Sequence, residues 1–95
     1  MDRNDRDELI GRLHRYKADY RKRLAFIDAE LSNAAEVFQA ASSQLHCLLA
    51  GERSDAEPAL SKVDVTRVLN LMAEREQICR RIADVNQQLK QFGVR

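Results

Sequence analysis

Residues that break helices are almost missing from this chain. Of its 95 residues, one is proline and three are glycine. An all-β fold needs a tight turn every few residues, and turns draw on Gly and Pro. Their scarcity, beside abundant Ala, Leu, Glu, Arg and Gln, predicts long uninterrupted helices. Tryptophan is absent, and aromatic residues make up only 5%. Cysteine occurs twice, at Cys47 and Cys79, with no CxxC spacing. That excludes a disulfide framework or a Cys-based zinc motif, and reduced thiols are expected. The two histidines, His14 and His46, form neither HxxxH nor ExxH, so no metal site and no cofactor is expected. Neither sign of charge dominates, because 16 Lys/Arg face 15 Asp/Glu for a net +1. Long apolar runs are also missing, which predicts no membrane span. The first eight residues, Met1 to Glu8, are too polar to resemble a signal peptide. The expectation is a soluble, cytoplasmic protein.

Catalytic chemistry has no foothold either. Glu74 with Glu76, and Asp28 with Glu30, are two residues apart, so neither pair shares a helix face. No carboxylate pair is poised as acid and base, and no nucleophile has a general base beside it. An enzyme is not expected.

What is present is periodic. Ile10, Leu13, Tyr20, Leu24, Ile27, Leu31, Ala34, Phe38, Ala41, Leu45 and Leu48 recur in steps of three and four, with Lys17 completing the series. This is a heptad seam held for more than five repeats. Helix 1 is predicted over about 7–49. Gly51 and Pro58 break the pattern and place a connection at about 50–61. Helix 2 is predicted over about 62–92, with Ser61 and Asp64 resembling a cap and Gly93 a stop. Its seam reads Val65, Val68, Met72, Arg75, Cys79, Ile82, Asn86 and Leu89. The fold class is therefore all-α, a single domain built as a long antiparallel, coiled-coil-like two-helix hairpin. Pairing Leu48 with Val65 makes facing residue numbers add to 113, which puts Arg75 opposite Phe38. A slide by one heptad would also keep the seam apolar. In this register the first turns of helix 1 project past helix 2.

Helix 2 carries a second apolar row: Leu71, Ile78, Val85 and Phe92, one every seven residues. A hairpin needs only one seam. The row is therefore predicted to be an oligomer interface, with two chains closing a four-helix bundle. Charge is also unevenly placed. Residues 9–27 carry six Lys/Arg against Asp19, whereas residues 28–61 sum to −5. Arg12, Arg15, Tyr16, Lys17, Tyr20, Arg21, Lys22 and Arg23 mark a candidate partner or nucleic-acid surface, since cations beside aromatics suit phosphates and bases. A solvated helix face accounts for several of them equally well. Two functions are expected from these features. The first is a non-enzymatic adaptor or regulator, acting through self-association and through a protein with an acidic or apolar groove. The alternative is a small nucleic-acid-binding protein using the basic part of helix 1.

Overall fold

The computed structural model describes residues 2–93, and every regular element among them is helical. Helix α1 spans Arg3–Leu49, α2 spans Ala56–Ser61 and α3 spans Val65–Gln91. The two long helices pack against each other as an antiparallel hairpin. Helix α1 has 47 residues and contributes to both of the compact units described below.

The ends of these helices follow from local chemistry. Gly51 has φ +76°. Its N–H donates to the Leu48 carbonyl at 3.1 Å, and the Glu52 N–H donates to the Cys47 carbonyl at 2.9 Å. This pair of bonds is the Schellman arrangement, which satisfies the last carbonyls of α1 and needs a left-handed residue. Gly93, at φ +78°, stands at the end of α3 with its N–H donating to the Lys90 carbonyl at 3.0 Å. At the start of α3, the Asp64 carboxylate accepts the Arg67 N–H at 2.9 Å, so Asp64 is the cap. Ser61 does not take part in that cap. Its hydroxyl donates to the Pro58 carbonyl at the end of α2. Pro58 lies inside a helix after all, in the first turn of α2, where no intrahelical N–H is required.

The described residues divide into two compact units. In the first, built from residues up to Phe26 and from Ala73 onward, Leu13, Val85 and Leu89 form the buried cluster. Leu9, Ile10, Tyr20 and Phe92 pack around it. Arg23 makes a two-pronged ion pair with Glu74, at 2.8 and 3.0 Å. Arg81 lies over the Tyr20 ring at 6.0 Å, and the Arg6 guanidinium donates to the Phe92 carbonyl.

The second unit is residues 27–72. Here the connection folds back along α1. The Ser54 hydroxyl donates to the Gln44 carbonyl at 2.8 Å, and the Gln44 side chain accepts the Asp55 N–H at 2.8 Å. Ala41 and Ala56 are buried, and further along Glu30 pairs with Arg67 at 2.5 Å.

Within each unit the register differs from the 113 expected above. Arg23 with Glu74, and Glu30 with Arg67, both add to 97. The reason is the connection. A loop that merely joined the helices would let α3 begin beside the end of α1. Instead the chain reverses at Gly51, and residues 54–61 occupy the last turns of α1. Helix α3 begins only after that length has been used. Two corrections follow. The first turns of α1 do not project uncovered, since Leu13 is 4% exposed against Val85 and Leu89. The row Leu71, Ile78, Val85 and Phe92 is also not a surface left for a second copy. Leu71, Ile78 and Val85 are 8, 4 and 6% exposed within a single chain, and Phe92 is half-buried. This row is the hairpin's own seam. Helix α3 is turned so that Val65, Met72, Arg75 and Asn86, expected inside, are exposed.

Candidate functional site

Two surfaces of the chain can be weighed as sites. The first is the basic part of α1 in the first unit. Arg12, Arg15, Arg21 and Lys22 are exposed, and Tyr16 is 47% exposed. Lys17 is half-buried, and Tyr20 packs against the Leu13 cluster beneath Arg81. Arg23 is held by Glu74 and stacks over Phe26 at 4.9 Å. Arg12 approaches Glu8 at 3.8 Å, one helical turn away. The eight expected residues therefore do not form one open surface. Tyr20 and Arg23 are engaged in holding the unit together, while Arg15, Arg21 and Lys22 remain as an exposed basic group.

The second surface is apolar and lies in residues 27–72. Leu48, Leu69, Val65 and Met72 are more than half exposed, and Leu49 is 83% exposed. Phe38, Leu45 and Leu60 are exposed at 38, 38 and 46%. Single exposed apolar residues are ordinary, and these eight are distributed over α1, α2 and α3 of the second unit. The periodic reading assigned Phe38, Leu45, Leu48, Val65 and Met72 to the intramolecular seam. It placed Leu69 on neither row. The signal for Leu69 was present, because Val65, Leu69 and Met72 follow the i, i+4, i+7 spacing of one helix face.

Beside these residues lies a shallow depression of about 150 Å³, with Ala34, Val37, Phe38, Val68 and Leu71 on its apolar walls. Glu30, Lys62, Asp64 and Arg67 contribute charge to its lining. Among the described residues no group of three or more His, Cys, Asp or Glu is placed to hold a metal ion. Cys47 and Cys79 are half-buried thiols. No described helix is long and apolar enough to cross a membrane. Compared with known proteins, the chain matches no family model, no curated protein and no solved structure.

Proposed function

We propose that this chain is a non-enzymatic interaction module, an adaptor or regulator that self-associates into a four-helix bundle and engages other proteins through its helix faces. One observation carries the reading. A compact monomer of 10.9 kDa is expected to expose about 5,600 Å². This chain exposes 7404 Å². The difference, about 1,800 Å², falls within the area that each partner buries in a permanent dimer, about 1,000–2,500 Å². The interior points the same way. Its buried side chains include two alanines, and among the described residues Ile27 alone is fully buried. Chains of this size with so thin a core usually gain stability by association.

The test is the mass in solution, measured by light scattering or sedimentation across a concentration series. The proposal expects at least twice 10.9 kDa at micromolar concentration, with a melting temperature that rises with concentration. A constant single-chain mass up to about 0.1 mM would refute self-association.

A second reading, binding of single-stranded nucleic acid, is favoured by exposed Tyr16 among Arg12, Arg15, Arg21 and Lys22. It expects binding that weakens steeply with added salt. Absence of binding at low salt removes it.

A further inference from the structure

Charge is nearly absent from one stretch of α1. Of the 31 Lys, Arg, Asp and Glu residues in the chain, only Glu36 lies between Leu31 and Gly51. Solvated helix faces carry charge, and the centres of protein interfaces are depleted of it. This stretch also bears two seams. The first faces its own chain and includes Ala34, Val37, Ala41 and Gln44, which are half-buried or buried. The second is Leu31, Ala35, Phe38, Ser42, Leu45 and Leu49, spaced four, three, four, three and four. Such alternation is the heptad pattern of a helix that packs along another helix. Leu31 is half-buried, and the other five are exposed.

We infer that this second seam is closed by the same seam of a second copy of the chain, running antiparallel about a two-fold axis near Ala40. The inference rests on the self-association proposed above and names the surface that performs it. Its support is self-complementarity. In a two-fold contact each residue meets a partner whose number completes a constant sum. With that sum at 80, Phe38 meets Ser42 of the other copy, Leu45 meets Ala35 and Leu31 meets Leu49. Large faces small at the two inner levels, as interdigitating side chains require. A parallel alignment would set Phe38 against Phe38 and Ala35 against Ala35, leaving a clash at one level and a void at the next.

The decisive variant is the pair Ala35→Glu and Ser42→Glu. Both positions are exposed in the single chain, and glutamate suits a helix, so the hairpin keeps its fold. In the dimer each carboxylate would be driven against an apolar side chain. The expected result is a dimer dissociation constant raised about 100-fold or more, with far-UV helicity retained. A second experiment reads the direction. In a chain with Cys47→Ser and Cys79→Ala, one sample carries Phe38→Cys and another Ser42→Cys. Mixed and oxidised, the two should cross-link to each other, and each alone should not. Disulfides within the separate samples would overturn the antiparallel arrangement. A double-glutamate variant that dimerises as tightly as the parent would overturn this surface while leaving self-association intact. A parent chain that is monomeric at about 0.1 mM would overturn both.

Discussion

Truncating Leu13 and truncating Leu48 should have opposite consequences in the two registers, so the pair tests the packing directly. Leu13 is 4% exposed and lies in the cluster with Val85 and Leu89. Leu13→Ala removes that buried volume and leaves a cavity the neighbouring helix fills only in part. Leucine-to-alanine changes at such sites cost roughly 2–5 kcal/mol. The lower half of that range applies here, because a two-helix core can collapse more easily than one enclosed on all sides. A loss of about 2–3 kcal/mol is a large share of the total stability of so small a domain. Leu48 is 57% exposed, so Leu48→Ala removes mostly solvated surface and should cost under about 1 kcal/mol. The register read from the heptads implies the reverse order, with Leu48 buried against Val65 and Leu13 uncovered. Urea unfolding followed by circular dichroism at 222 nm measures both, at a protein concentration low enough that the chain is monomeric, since association adds to apparent stability. If Leu48→Ala proves as damaging as Leu13→Ala, the packing described here is wrong.

Three further outcomes follow from local geometry. Gly51→Ala places a Cβ on a residue with φ +76°, which should cost about 1–2 kcal/mol and lower the urea midpoint without changing its slope. Asp64→Ala removes the side-chain bond to the Arg67 N–H and should cost about 1 kcal/mol, while Asp64→Asn should recover most of it because the amide oxygen still accepts. Arg23→Ala breaks the two-pronged pair with Glu74. Their side chains are 48 and 35% exposed, so solvent screening limits the expected loss to below about 1 kcal/mol, and the loss should shrink further at high salt.

The apolar surface on residues 27–72 explains why α1 is so regular and yet so little of it is buried. Heptad positions that look alike in sequence differ in burial. Ala41 of α1 and Ala56 of α2 are buried, and Ala34 is half-buried. Phe38 and Leu45, on the same helix, are partly covered and keep 38% exposure each. The same division occurs on α3, where Leu71 faces inward and Leu69 and Met72 do not.

The helical identity of α1 and α3 and their two glycine stops were legible in the sequence because they depend on local chemistry, whereas α2 and the start of α3 were not. Apolar residues every three or four positions call for helix. A glycine at Gly51 or Gly93 accepts the left-handed conformation that stops one, but the cap of α3 was read at Ser61 and stands three residues later, at Asp64. These effects act within a few residues, so one sequence suffices to see them. The register and the facing of the seams were decided only in the tertiary structure. Heptads repeat every seven residues, so sliding one helix past another changes the apolar match very little. What fixes the slide is the path of residues 52–64, through bonds such as Gln44 to Ser54 and Asp55 and the ion pair of Glu30 with Arg67. Those contacts join residues from 10 to 37 positions apart, and no local pattern announces them. The apolar rows of α3 were therefore visible from the start, but which row faced inward was set by how much of α1 the returning chain had already covered.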